Sequence, residues 1–220
     1  MMWTRKNLFA VLLISFASLG NAAEFFILPN SKTLLMMGET IPSDVARLSK
    51  YIEKGEVDSL MLKGPGGSLE AGYAIADLVL EHQLNVTIPA NTDCASACSL
   101  IFAAGTTRAM ESGTKIGFHL PFIDLGTGYG SSQVIEDYCA SISASSDQSL
   151  RGLIFIGVGE YADCFMKTYQ LGLRDIRKLE RLFSRDGISQ KVLDIVIETP
   201  TGDMTWIKRD KARELGLVND

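Results

Sequence analysis

Short apolar runs alternate with helix-like stretches throughout residues 33–119, and this alternation constrains the chain more than any other feature. "KTLLMMG", "DSLMLKG", "LNVTIPA" and "TKIGFH" read as buried strands. Between them, "PSDVARLSKYIEKG" repeats apolar Val45, Leu48 and Ile52 at helical spacing. Pro42 can start that helix, Ser43 or Asp44 can cap it, and Gly55 ends it. "SLEAGYAIADLVLEHQ" and "ASACSLIFAAG" read as two more helices. Strands that alternate with helices of roughly ten residues or more argue for α/β layering with largely parallel strands. From residue 132 to about 197 the text is mostly helical, interrupted at Gly152, Gly157 and Gly159. "DMTWIK" is a late strand and "RDKARELG" a final helix.

With 220 residues, 46% of them hydrophobic, the chain can form one sizeable core. No repeat, low-complexity tract or long linker divides residues 23–220, which read as one domain. A formal net charge of −5 gives no electrostatic reason to expect nucleic acid as a partner. The first 22 residues are different. Arg5 and Lys6 precede the uncharged run "LFAVLLISFASLG", and "GNAA" follows with Gly20 and Ala22 at the small −3 and −1 positions. That is the order of a secretory signal peptide, 1–22, cleaved after Ala22. The apolar run is shorter than the ~20 residues a spanning helix needs, so no stable membrane span is expected after its removal. No cysteine follows the run, which argues against a lipoprotein anchor; an uncleaved anchor is the alternative. The expected destination is the periplasm.

Export changes how the cysteines read. There are four, Cys94, Cys98, Cys139 and Cys164. An even number in an oxidising compartment favours disulfides. Pairing by proximity joins Cys94 to Cys98 and Cys139 to Cys164, one of three connectivities. An i,i+4 pair inside a regular helix rarely permits the approach a disulfide needs. Cys94 is therefore expected before the helix, in the turn, with small buried thiols as the alternative. The spacings form no C-x-x-C pairs, and only His82 and His119 could assist, so neither metal nor cofactor is expected.

Two places carry chemistry. "LKGPGGSLEAG" sets Gly66 and Gly67 between a strand and a helix, where the backbone can approach a ligand and N–H groups can hold an extended peptide or an oxyanion. Its plain reading is a tight turn with Ser68 as N-cap. "TDCASACSLIFAAG" sets Ser96 after a strand and before an apolar helix, where the helix dipole favours developing negative charge and the Ala97 N–H lies alongside. Its plain reading is again an N-cap. A nucleophilic serine needs a base. His119, at a strand end before Pro121, suits that role; His82, near a helix C-terminus, suits capping.

The order of these pieces resembles the Clp protease proteolytic-subunit family of the Clp/crotonase superfamily. "GPGGSLEAGYAIADLV" is similar to the family's S-P-G-G-S-x-x-A-G-x-A-I-x-D segment. "CASACSLIFAAG" is similar to A-A-S-M-G-A-x-L-L-x-A-G, which sets Ser96 at the nucleophile and Cys98 where the family has glycine. "TKIGFHLPF" resembles the strand whose histidine is the general base, and "ARELGLVND" resembles the end of the same fold. "GETIPSDVARL" looks like its early strand-to-helix unit. The resemblance spans residues 33–125 and 201–220.

This resemblance implies an α/β fold, a Clp/crotonase-like spiral of ββα units with a mostly helical insertion in the C-terminal half. It implies a serine peptidase-like hydrolase acting on peptide or ester bonds. Ser96 is the nucleophile, His119 the base, and Asp203 the orienting carboxylate, with Asp124 and Asp163 as lesser options. Gly67 and Ala97 supply the oxyanion hole, and Gly66, Gly67 and Ser68 hold substrate. The expected partners are a peptide or protein substrate and further copies of the chain. An inactive peptide-binding or assembly protein is the alternative. Acyl-thioester chemistry is a third reading, opposed by export away from intracellular thioesters.

Overall fold

The computed structural model describes residues 22–121, 139, 154–185 and 187–220, without the side chains of 154–162 and 165. The segment read as a signal peptide lies outside the described residues apart from Ala22.

Strand β1 (Glu24–Ile27) runs antiparallel to β2 (Thr33–Thr40), and β2 runs parallel to β3 (Ser59–Gly67). Helix α1 (Pro42–Glu53) joins β2 to β3, and α2 (Leu69–Glu81) follows β3. Beyond α2 the sheet splits. β3 pairs through its first half with β4 (Asn85–Ile88), which continues to β6 (Arg108–Met110). Through Gly64 it pairs with β5 (Asp93–Ala95), which continues to β7 (Lys115–Phe118) and the antiparallel β8 (Thr205–Lys208). The expected parallel core is present, edged by antiparallel β1 and β8. Two three-residue strands, β5 and β6, escape a reading by periodicity because they are too short to show one.

Helix α3 (Ala97–Ala103) has all seven residues buried, and it packs with α2 over the sheet. Leu60, Leu62, Val86, Ile88 and Ile116 from the strands meet Ile75, Val79, Ile101 and Phe102 from the helices in one core. Gly72 lets α2 and α3 approach: a Cβ there would come within 2.9 Å of the Ala97 Cβ.

The C-terminal half contains α4 (Ile154–Arg185), α5 (Gln190–Glu198) and α6 (Arg209–Glu214). Helix α4 runs unbroken through Gly157 and Gly159, which were expected to interrupt it. A glycine in a helix costs about 1 kcal/mol, which a long packed helix absorbs. Tyr73 of α2 donates its hydroxyl to the Asp175 carbonyl at 2.9 Å, tying α4 to α2. Burial, together with the Asp175 charge, pushes that phenol well above its ordinary range. At α1 the cap differs from expectation. Ile41 is the N-cap residue, and the Asp44 carboxylate reaches back to its N–H at 2.9 Å.

Candidate active site

Three elements converge. Strand β3 carries Gly66 and Gly67 at its end, the β5–α3 junction carries Ser96, and His119 follows β7 directly. Parallel pairing places the ends of β5 and β7 side by side, with Ala95 opposite Gly117. One residue past Ala95 is Ser96; two past Gly117 is His119. Residues 23 apart in sequence therefore meet, and the Ser96 Oγ lies 2.8 Å from His119 Nε2.

The backbone at Ser96 separates the two readings of that serine. It stands at the N-cap position of α3, yet its side chain makes no capping hydrogen bond. Its φ of 55° and ψ of −123° lie in a sparsely populated region for a residue with a side chain. Such strain costs of order 1–3 kcal/mol and persists only where the surroundings enforce it. Here it turns the hydroxyl away from the helix and towards the imidazole.

His119 Nδ1 lies 2.9 Å from the Leu120 carbonyl oxygen, which can only accept. In the neutral tautomer that this oxygen favours, the proton is on Nδ1 and Nε2 faces the Ser96 hydroxyl as an acceptor. Leu120 is itself held: its N–H donates to the Thr199 carbonyl at 2.8 Å, and the Thr199 hydroxyl lies 2.7 Å from that of Thr205.

The glycines act at different places. A Cβ on Gly66 would come within 2.6 Å of the Ser96 Cβ and 2.9 Å of the Ala97 nitrogen, so Gly66 is the floor beneath the serine. A Cβ on Gly67 would strike the Thr40 backbone instead. In the ladder with β2, the Ser68 N–H donates to the Thr40 carbonyl at 2.8 Å. The Ala97 N–H opens α3, where a helix has no partner of its own for it. Ser68 caps α2, its Oγ accepting from the Ala71 N–H at 3.2 Å.

Cys94 and Cys98 form a disulfide that spans Ser96, with Cys94 on β5 and Cys98 in the first turn of α3. Cys139 and Cys164 form the second. Of the carboxylates, Asp203 is not brought to His119. It is exposed in the turn before β8, and its side chain forms no hydrogen bond or ion pair among the described residues. Asp163 pairs with Lys167 at 2.7 Å, both of them exposed on α4. Asp124 lies outside the described residues. His82 is the exposed C-cap residue of α2. No group of three potential metal ligands occurs among the described residues. Sequence reading missed Ser99, Gly117, Leu120 and Thr199, which act mostly through main-chain carbonyls that no residue type announces.

The sequence profile of the Clp protease family matches residues 36–149. The chain belongs to the Clp protease family. The matched segment contains Ser96, His119 and both glycines. No curated protein matches in sequence. Among solved structures, a point mutant of ClpP1 from Listeria monocytogenes is 17% identical, with 85% of this chain and 88% of that one covered and a TM-score of 0.56. At that identity the likeness establishes a shared Clp protease fold. A point mutant of the 1510-N membrane-bound stomatin-specific protease is 18% identical, covering 84% of this chain and 75% of that one, with a TM-score of 0.49.

Proposed function

We propose that this Clp protease family member is an exported serine hydrolase that cleaves peptide or ester bonds. The observation that carries the proposal is the 2.8 Å contact between the Ser96 hydroxyl and His119 Nε2. Ser96 Oγ attacks the substrate carbonyl carbon as its proton passes to Nε2. Charge then moves to the carbonyl oxygen, towards the N–H groups of Gly67 and Ala97. Collapse expels the leaving group, which takes the proton from Nε2. Water attacks the acyl carbonyl as its proton passes to the same nitrogen, and Nε2 returns that proton to Oγ as the C–Oγ bond breaks, which frees Ser96 and releases the acid. The Leu120 carbonyl keeps the Nδ1 proton in place and stabilises the imidazolium that forms in each half-reaction.

Two disulfides in one chain favour an oxidising compartment, which supports export to the periplasm. Family membership supports assembly with further copies of the chain.

A fluorophosphonate probe tests the chemistry. The folded protein is expected to label once per chain, and Ser96→Ala to abolish labelling without a change in circular dichroism. A folded, oligomeric sample that fails to label would overturn the hydrolase reading in favour of a peptide-binding protein that retains the fold.

A further inference from the structure

We propose that Ser99 is a positioning residue for the Ser96–His119 pair, acting through the Gly117 carbonyl. This rests on the reading of Ser96 as nucleophile. Ser99 is fully buried on the third residue of α3, followed by the apolar run Leu100, Ile101, Phe102. An alanine would suit that environment at no cost in desolvation, so a buried hydroxyl there calls for a reason. A serine within a helix usually bonds back to the carbonyl four residues earlier. Ser99 instead reaches across to another strand. Its Oγ lies 2.7 Å from the Gly117 oxygen on β7 and 3.1 Å from the Cys94 oxygen on β5.

The same Gly117 oxygen accepts the Ser96 N–H at 3.0 Å. One carbonyl, two residues before His119, thus receives the nucleophile's own N–H and the Ser99 hydroxyl. The Ser99 N–H also donates to the Ser96 carbonyl at 2.9 Å. Ser96 holds an unfavourable backbone conformation that needs enforcement from outside. The Cys94–Cys98 disulfide closes the turn onto β5 but makes no link to β7, the strand that leads to the base. Ser99 adds a side-chain link to β7 beside the main-chain bond from the Ser96 N–H to the same oxygen. Its hydroxyl sets the spacing between the turn carrying Ser96 and the strand carrying His119.

The experiment compares Ser99→Ala with Val57→Ala. Val57 is buried two residues before β3, at the opposite end of that strand from Gly66 and the pair, so its truncation measures what lost stability alone does. Two quantities are read at a temperature where both variants are folded: the rate of fluorophosphonate labelling, and the nitrogen-15 signal of His119 Nε2, which does not depend on activity. Ser99→Ala is expected to label about 10–100-fold more slowly, the loss that follows from misplacing a reacting atom by a fraction of an ångström to an ångström. Its Nε2 signal is expected to move, because the hydrogen bond from Ser96 lengthens. Val57→Ala is expected to leave both unchanged. If the wild type does not label at all, the hydrolase reading falls, while the Nε2 signal still decides the role of Ser99. A folded Ser99→Ala with wild-type labelling and signal overturns the proposal. So does an equal effect from Val57→Ala, or a Ser99→Ala chain that does not fold, since the hydroxyl then serves the fold as a whole.

Discussion

His119 Nδ1 lies 2.9 Å from the carbonyl oxygen of Leu120, its own neighbour in the chain. In a Ser-His-Asp arrangement a carboxylate holds the ring in the tautomer that leaves Nε2 bare. Here the Leu120 main-chain oxygen is one acceptor beside Nδ1, and the Thr199 carbonyl in turn anchors the Leu120 peptide. Where Nδ1 donates to that oxygen, Nε2 is left to face Ser96 as an acceptor.

The two histidines are expected to behave differently. His119→Ala should slow fluorophosphonate labelling by about 10²–10⁴-fold, the usual contribution of a general base. His82→Ala, at the exposed end of α2, should label at the wild-type rate. Equal losses from both folded variants would remove His119 from the chemistry.

Asp203→Asn should leave the labelling rate within about twofold of wild type, since surface substitutions free of specific contacts change little. This departs from the expectation drawn from family resemblance, because the Asp203 carboxylate is exposed and makes no hydrogen bond among the described residues. A fall of orders of magnitude in the rate would restore Asp203 as the orienting carboxylate.

Gly66→Ala should abolish labelling and destabilise the fold. Gly66 has φ of 101°, and a Cβ would press on the Ser96 Cβ and the Ala97 nitrogen. Gly55→Ala is the control. Its φ of 68° is also left-handed, but nothing lies within 4 Å of a Cβ there. The expected cost is about 1 kcal/mol with labelling unchanged. Urea denaturation and probe kinetics on both variants check this contrast.

Removing the disulfide across Ser96, as Cys94→Ala with Cys98→Ala, should cost about 2 kcal/mol by the loop-entropy relation for so short a loop. It should also slow labelling, because the strained turn loses one of its fastenings. Replacing Cys139 and Cys164 by alanine should cost more in stability, since the closed loop is longer, with a smaller effect on labelling. Denaturation curves and probe rates measured side by side would reverse this ranking if the first bridge were irrelevant to Ser96.

The longer strands and helices were legible in the sequence because their apolar residues mark them. Leu34 to Met37 form a continuous apolar run that became β2, and Val45, Leu48 and Ile52 recur at the helical spacing of α1. The residue types at the candidate site were legible too, since a serine at a helix start and a histidine at a strand end are local facts. Whether Ser96 caps α3 or faces a base was not a local fact. It depends on the ψ angle at one residue and on the register of β5 against β7, which together set Oγ beside Nε2. The carbonyls of Gly117 and Leu120 were invisible for a further reason: every residue carries a carbonyl, so only the folded path of the chain selects which ones hold Ser96, Ser99 and His119. Sequence by itself determined the elements, their order and the reactive side chains. Tertiary structure alone decided which atoms meet, because hydrogen bonds between residues far apart in sequence exist only once parallel strands have brought their ends together.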